Sequence, residues 1–235
     1  MRLSLSEIST VRASFEDDVA AYAAAGFDGI GIWEFKLPAD DAANVQLLRE
    51  AGLGVANCVP TVPSLLSLRL PGMEGPLDPR KRIDALCASM RRLATYEPES
   101  VLVITGPTAN SGSWQTVIDG LREIATAADE AGLDDVGIMA DTYNLWEEAP
   151  ETLAAVAHRV TGLHVADVPA EPGRSDRVLP GEGESRSADL VRALAGTGWD
   201  GFLDVEIFST PDRFWSLPVA EAARRAYAST SALLS

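Results

Sequence analysis

The chain has 235 residues, of which 35 are acidic and 19 basic, and its formal net charge is -16. This excess of negative charge repels a phosphate backbone, so nucleic acid is not expected as a partner. The length suits one domain over residues 1–235, and no run approaches the roughly 18 apolar residues that cross a bilayer, so we expect a cytoplasmic protein without a membrane segment.

Short apolar runs alternate with longer amphipathic stretches along the whole chain, which is typical of repeated βα units. The first amphipathic stretch, residues 14–26, begins with a polar residue, has acidic residues in its first turn and ends on a glycine, as helices do. This alternation predicts seven strands: residues 3–8, 29–33, 54–59, 100–105, 136–141, 161–166 and 201–208. We therefore predict an α/β barrel of repeated units.

The rhythm breaks after Gly132, where only three residues precede the next strand. Every other helix is followed by its own strand and helix. If the barrel has eight strands, the fifth strand and its helix are missing here, which leaves about seven strands. A genuine seven-strand barrel, a natural deletion and an altered chain all remain open explanations.

Polar residues at the carboxyl ends of three late strands are the main candidates for chemistry, because catalytic groups of parallel barrels sit at that end. They are Asp141, His164 and Glu206. Residues two apart on a strand share a face, so all three can point into the barrel mouth, opposite the apolar residues that suit the helix side.

Two carboxylates and an imidazole in one pocket favour a divalent cation between them, and this mixed donor set suits Mn, Co, Mg, Fe or Zn. The alternative is that each group is paired separately to backbone or to an arginine. His158, the second of the two histidines, lies in a helical pattern and is expected to be a surface or packing residue.

The ordered motifs DTYNLW, GLHVADV, DRVLPGEGE and GWDGFLDVEIF resemble those of the sugar phosphate isomerase/epimerase family with the xylose isomerase-like TIM-type barrel. The resemblance implies a metal bound by Asp141, His164 and Glu206, with Arg177, ahead of the PGEG turn, contacting substrate. Two departures stand out. The family's fourth ligand, a glutamate on the fifth strand, falls in the apparent gap, and Asn144 replaces a substrate-contacting histidine.

Members of that family move a proton beside a carbonyl group through an enediolate, so the resemblance implies an isomerase, epimerase or related lyase acting on a small sugar-like compound. Glu206 is then the catalytic residue. With one matching glutamate, one-base isomerisation is easier to support than two-sided epimerisation, unless Glu34, Asp204 or Glu182 substitutes.

Two functions of other classes stay open. One is a non-catalytic barrel that binds a sugar or a partner protein. A homo-oligomer is compatible with this function and with the enzyme. The other, a phosphodiester nuclease, is disfavoured by the charge and by the presence of only two histidines. Binding of a phosphate group usually needs clustered cationic side chains or a glycine-rich loop at the start of a helix. Neither is evident in the sequence, so we expect an unphosphorylated substrate.

Other residues near strand ends have weaker signals. Trp33 and Trp146 could stack on the apolar side of a sugar ring or simply pack in the core or at the rim. Residues 60–79, rich in proline and leucine, predict a long loop over the barrel mouth that could act as a lid. Cys58 and Cys87 are predicted to be buried free thiols.

Overall fold

The computed structural model describes residues 1–68, 74–107, 110–133, 135–171, 174 and 176–234. Its strands are β1 Arg2–Ser6, β2 Gly29–Trp33, β3 Gly54–Val59, β4 Ile138–Asp141, β5 Val160–Val165 and β6 Phe202–Val205. Its helices are α1 Phe15–Ala25, α2 Asp41–Ala51, α3 Pro79–Leu93, α4 Ser111–Glu130, α5 Pro150–Ala155, α6 Ser187–Ala195 and α7 Val219–Ser231.

The six strands form one parallel sheet in the order β3-β2-β1-β6-β5-β4. The predicted α/β TIM-type fold is confirmed, as an incomplete barrel. The predicted strand at 100–105 is reduced to isolated bridges, Cys58 to Val101 and Ser64 to Ile104. In the described part of the chain no strand or helix lies between α4 and β4, as expected if one βα unit is missing.

The chain divides into two compact units. The first contains residues Met1–Ile32, Lys36–Ala56 and Val136–Ser235, and the second contains Trp33–Phe35 and Asn57–Asp135. The candidate site lies entirely in the first unit, and each unit is described by itself below.

The sheet of the first unit has one apolar face and one polar face, because residues alternate along each strand. Leu5, Leu163 and Leu203 have no exposed surface, and each such burial contributes about 1.5–3 kcal/mol. Helix α7 packs against β1 and β6. The residues that follow two of these leucines, His164 and Asp204, are polar and belong to the opposite face.

Helix α1 begins and ends where the sequence predicts. The Ser14 side chain caps α1 by accepting a hydrogen bond from the Asp17 amide at 3.1 Å, and Gly26 ends the helix with φ of 98°. A side chain at Gly26 would strain that left-handed conformation. Helix α2 repeats the arrangement with Asp40 and Gly52.

The second unit is built around the pair α3 and α4. Their apolar faces enclose a cluster that shares full or nearly full burial: Leu65, Ile83, Leu86, Met90, Val117, Ile124 and Ala127. The fully buried Arg82 donates hydrogen bonds to the carbonyl groups of Ser64, Glu74 and Pro76. Arg82 therefore holds both ends of the predicted lid loop, whose residues 69–73 lie outside the described part.

The two thiols differ in environment. Cys58 is buried, as predicted, whereas Cys87 on α3 is only partly buried, and both are free. Burial raises the pKa of the Cys87 thiol above its ordinary value. None of the described helices is long and apolar enough to cross a bilayer.

Candidate metal centre

Strand register brings the polar residues of three neighbouring strands into one row. Asp141 at the end of β4 pairs with His164 of β5, which in turn pairs with Asp204 of β6. Glu206 follows two residues after Asp204 and therefore shares its face. Parallel strands in register thus bring together side chains that are far apart in the sequence.

Asp141, His164 and Glu206 form a compact group of donor atoms. One oxygen or nitrogen from each lies within 4.8 Å of those of the other two, and Nδ1 of His164 is 3.3 Å from Oε2 of Glu206. The residues are 8%, 3% and 4% exposed. Within the described residues, this is the one group of histidine and acidic side chains close enough to hold an ion.

Arg177 lies against both carboxylates of this group. Its Nη2 is 2.9 Å from Oδ2 of Asp141, and its Nη1 is 2.9 Å from Oε2 of Glu206. The guanidinium also lies over the rings of Tyr143 and Phe208, 4.8 and 5.1 Å from their centroids. Burial alone lowers the pKa of a guanidinium, but Glu206 and Asp141 outweigh it and raise the pKa of Arg177.

Local hydrogen bonds orient the Asp141 carboxylate. Its Oδ1 accepts from the Tyr143 amide and its Oδ2 from the side-chain amide of Asn144, both at 2.9 Å. Asn144 itself is exposed. A hydrogen-bonded carboxylate with restricted rotation is a better ligand or ion-pair partner than a free one, since less conformational freedom is lost on binding.

The backbone on either side of Glu206 is held by Ser9. The Ser9 hydroxyl donates to the Val205 carbonyl at 3.0 Å and accepts from the Ile207 amide at 2.9 Å. The indole of Trp215 adds hydrogen bonds to the carbonyls of Ile8 and Ile207. These contacts fix the stretch beyond β6 from which the Glu206 side chain projects.

A second network supports the turn that carries Arg177. Backbone bonds in both directions join Asp167 to Val178, the residue after Arg177. The Asp167 carboxylate accepts from the amides of Gly181 and Gly183 and from the hydroxyl of Ser185. The PGEG turn is thus wrapped around a buried aspartate.

Other residues named from the sequence have different surroundings. Trp33 belongs to the second unit, where it is buried with its ring edge-on to Phe35 at 5.8 Å. Trp146 is 40% exposed and follows closely after Asn144. His158 is exposed, as expected for a surface residue. The contacts of Trp33 and Trp146 with a substrate remain predictions.

Of the three carboxylates considered as a second base, only Asp204 faces the imidazole within the first unit. Its Oδ2 is 3.6 Å from Nε2 of His164. Glu182 is exposed and pairs with Arg225 at 2.9 Å. Glu34 belongs to the second unit, where it accepts from the Thr61 amide and the Ser89 hydroxyl.

Sequence reasoning missed Ser9, Tyr143 and Phe208. The signal for Phe208 was present, because it falls on the same alternating face as Asp204 and Glu206. Ser9 left no comparable signal, since its role depends on a contact with a segment almost 200 positions away.

The donor set fits a divalent cation. Two atoms bound to one ion at roughly 2.2 Å lie at most about 4.4 Å apart, and the three groups are already within 4.8 Å. With the carboxylates ionised, Asp141, Glu206 and Asp204 carry three negative charges against one on Arg177. A divalent cation would bring that sum to zero, which lowers the cost of burying these charges.

A family model described as "Xylose isomerase-like TIM barrel" matches residues 66–230 of the chain. No curated protein sequence matches the chain.

Solved structures with the same fold cover nearly the whole chain. Protein SMc04130 from Sinorhizobium meliloti 1021 is 17% identical, with a TM-score of 0.82 over 98% of both chains. The IOLI protein, in a structure with a binding zinc atom, is 16% identical, with a TM-score of 0.75 over 100% of this chain and 98% of its own. A D-allulose 3-epimerase from Methylomonas sp. is 14% identical, with a TM-score of 0.74 over 99% of this chain and 98% of its own. At such identities the likeness establishes the fold.

Proposed function

The chain belongs to the xylose isomerase-like TIM-barrel family, and from that premise we propose that it is a metal-dependent isomerase or epimerase of a small sugar. The observation that carries the proposal is the convergence of Asp141, His164 and Glu206 at the carboxyl end of the sheet. The zinc atom of the IOLI structure and the epimerase among the structural neighbours support it.

Asp141, His164 and Glu206 would hold the ion. A divalent cation bound there supplies a Lewis acid for a carbonyl oxygen and its neighbouring hydroxyl. Its identity among Mn, Co, Mg, Fe and Zn stays open, because all accept a mixed set of carboxylate oxygens and an imidazole nitrogen.

The proposed reaction moves one proton between two neighbouring carbons and one between their oxygens. The Glu206 carboxylate takes a proton from the carbon beside the substrate carbonyl, which leaves a protonated Glu206 and an enediolate. Returning that proton to the former carbonyl carbon, while the hydroxyl proton passes to the former carbonyl oxygen, completes an isomerisation. Glu206 suits this role because Ser9 fixes the backbone on either side of it.

Arg177 would contact the substrate from beside the same carboxylates. Its guanidinium keeps its charge at all working pH values and has donors for several hydroxyl or carbonyl oxygens. The rings of Tyr143 and Phe208 limit its orientations. Asn144 can hydrogen-bond a hydroxyl but cannot transfer a proton near neutral pH, unlike a histidine.

One-base isomerisation of an unphosphorylated sugar is the form of the reaction that we favour. Epimerisation needs an acid or base on each face of the reacting carbon, and Asp204 points at His164 rather than joining the donor group. Among the described residues no strand lies between α4 and β4, so none of them supplies a fifth-strand glutamate as a second base.

Deuterium exchange tests the proposal without knowledge of the product. The metal-loaded protein is incubated in D2O with a panel of ketohexoses and ketopentoses, and deuterium at the carbon beside the carbonyl is followed by NMR. We expect exchange with at least one sugar and a loss of at least about 100-fold in Glu206→Gln, since the base is removed.

His158→Gln is the matched control for that experiment, because His158 is exposed and outside the site. It should exchange deuterium at the parent rate. Absence of exchange with every sugar, in a protein that holds a stoichiometric divalent ion, would refute proton abstraction from these substrates.

One observation favours a second function, a non-catalytic barrel that binds a sugar. Arg177 already bridges both carboxylates, so part of their charge is compensated without an ion. Metal analysis of the purified protein separates the two functions: a stoichiometric divalent ion that is lost in His164→Ala supports the enzyme, and its absence supports the binding protein.

A further inference from the structure

The two nitrogens of the His164 imidazole face two different carboxylates. Nδ1 is 3.3 Å from Oε2 of Glu206, within the candidate metal centre. Nε2 is 3.6 Å from Oδ2 of Asp204 and makes no hydrogen bond to any described residue. Asp204 is not part of the group of donor atoms that could share one ion.

Asp204 is held in this place by its neighbours on β1 and β2. In the register of the sheet Asp204 pairs with Ser4 as well as with His164. The Ser4 hydroxyl donates to Oδ1 of Asp204 at 2.7 Å. A Cβ atom on Gly31 would lie 2.4 Å from Oδ2, so only a glycine leaves room for the carboxylate.

Packing alone does not explain a buried carboxylate at this position. Asp204 is 1% exposed, and burying a carboxylate is costly unless it is paired. A shift of about 0.5 Å would bring Oδ2 within hydrogen-bonding distance of Nε2. A neutral imidazole has one nitrogen that donates and one that accepts, and a neighbouring carboxylate selects the nitrogen that keeps the proton. Oε2 of Glu206, which faces Nδ1, already accepts a hydrogen bond from Nη1 of Arg177 at 2.9 Å, so Asp204 is the carboxylate that selects Nε2.

We infer that Asp204 is a positioning residue that keeps the proton of His164 on Nε2, so that the lone pair of Nδ1 faces the metal centre. The inference rests on the proposed function for its metal, but the orientation of the imidazole can be measured without one. Carboxylates that accept a hydrogen bond from a ligand histidine fix its tautomer and strengthen its binding.

The chain is well suited to a direct test, because it has only two histidines. His158→Gln leaves His164 as the one imidazole, and ¹⁵N-histidine labelling with long-range ¹⁵N–¹H correlation then shows which nitrogen carries the proton. The spectra are recorded with chelator at about pH 8, above the ordinary imidazole pKa of about 6.5. We expect the proton on Nε2, and a mixture of tautomers in Asp204→Ala.

Zinc affinity, measured by competition with a chromophoric chelator, gives the second readout. Asp204→Ala should weaken zinc binding about 10- to 100-fold. Asp204→Asn should recover part of that loss, since its amide oxygen can accept from Nε2. Asp28→Ala is the matched control: its Oδ2 accepts from the Leu3 amide at 2.8 Å, on the same sheet, but it lies at the amino end of β2. It should leave tautomer and affinity unchanged.

Three results would overturn the inference. One is a parent protein whose Nδ1 carries a proton, and another is a folded Asp204→Ala whose zinc affinity is within twofold of the parent. If Asp204→Ala does not fold, Ser4→Ala is measured in its place. The third result would then be tautomer populations in Ser4→Ala that equal those of the parent. A parent that binds no divalent ion would refute the proposed function, whereas the tautomer measured with chelator would still decide the role of Asp204.

Discussion

At the scale of single residues, the site combines excess negative charge with one internal cation. Arg177 is 11% exposed at its side chain and touches two carboxylates that would also bind a metal. A divalent ion bound there would therefore compensate the same charges as the guanidinium. With an ion bound there, the stability of the protein would depend on both.

Replacing Arg177 by Met should lower the free energy of unfolding by about 3 kcal/mol in the presence of chelator, because two buried carboxylates lose their partner. Saturating zinc should recover more stability in the variant than in the parent, since it supplies the missing charge. Urea denaturation with and without zinc measures both effects. The control is Arg174→Met, which removes an arginine paired with Asp176 at 2.6 Å. Zinc should stabilise this variant no more than it stabilises the parent. An equal zinc effect in parent and Arg177→Met would contradict the prediction.

A second buried charge cluster lies beyond the end of β1. Asp18 accepts from the Thr10 hydroxyl at 2.7 Å and pairs with Lys36, which also lies 3.7 Å from Glu7. Tyr22, whose own pKa is raised by burial, shares the Thr10 hydroxyl. Burial raises the pKa of Asp18, although Lys36 and Thr10 act against the shift.

The raised pKa of Asp18 has a definite effect on the pH dependence of stability. A raised folded-state pKa contributes stability below the ordinary value of 3.8, and the contribution is lost as the pH rises through the folded-state pKa. The unfolding free energy of the parent minus that of Asp18→Asn should therefore decrease from about pH 3 to pH 7. Urea denaturation over this range measures it.

Asp189→Asn is the control, because its effect on the unfolding free energy should change with pH in the opposite direction. A hydrogen bond from Arg192 lowers the pKa of Asp189, so its contribution is present above the ordinary pKa and is lost as the pH falls. If the stability difference between the parent and Asp18→Asn rose with pH, the assigned direction of the Asp18 shift would be wrong.

At the scale of elements, a row of paired residues across four strands arranges the site. Asp141, His164, Asp204 and Ser4 are neighbours in register on β4, β5, β6 and β1. A strand that slipped by one residue would turn its polar side chain to the helix side. The apolar residues between them, buried against the helices, therefore fix the register that the chemistry needs.

A substitution at Gly31 tests whether the row needs the empty space beside the Asp204 carboxylate. Gly31→Ala should lower the unfolding free energy by about 1–3 kcal/mol, because its Cβ would lie 2.4 Å from Oδ2 of Asp204. In the Asp204→Ala background the same change should cost at least about 1 kcal/mol less. A double-mutant cycle by urea denaturation measures this coupling. Equal costs in both backgrounds would show that Gly31 is needed for another reason.

At the scale of the whole molecule, the net charge of -16 argues against nuclease activity. Fluorescence anisotropy with a labelled duplex that contains an abasic site should show no binding at about 0.15 M salt, since the protein surface repels the phosphates. Cleavage of that duplex, with loss of cleavage in His164→Ala, would instead support the nuclease.

The missing βα unit is also a property of the whole molecule. The alternation of helices and strands located the gap after Gly132, and the structure has no strand or helix among the described residues between α4 and β4. The predicted strand at 100–105 was only partly right. It forms single bridges near Val101 and Ile104, because a ladder needs consecutive paired residues that this segment does not provide.

The sequence by itself determined the order of elements, the helix ends at Ser14 and Gly26, and the polar face that Asp141, His164 and Glu206 share on their strands. These follow from local periodicity and capping, which depend on residues close together in the chain. Only the tertiary structure decided that Arg177 lies on both carboxylates, that Ser9 holds the backbone around Glu206, and that Asp204 faces Nε2 of His164. Those contacts depend on strand register and on packing between distant segments, which no local pattern encodes.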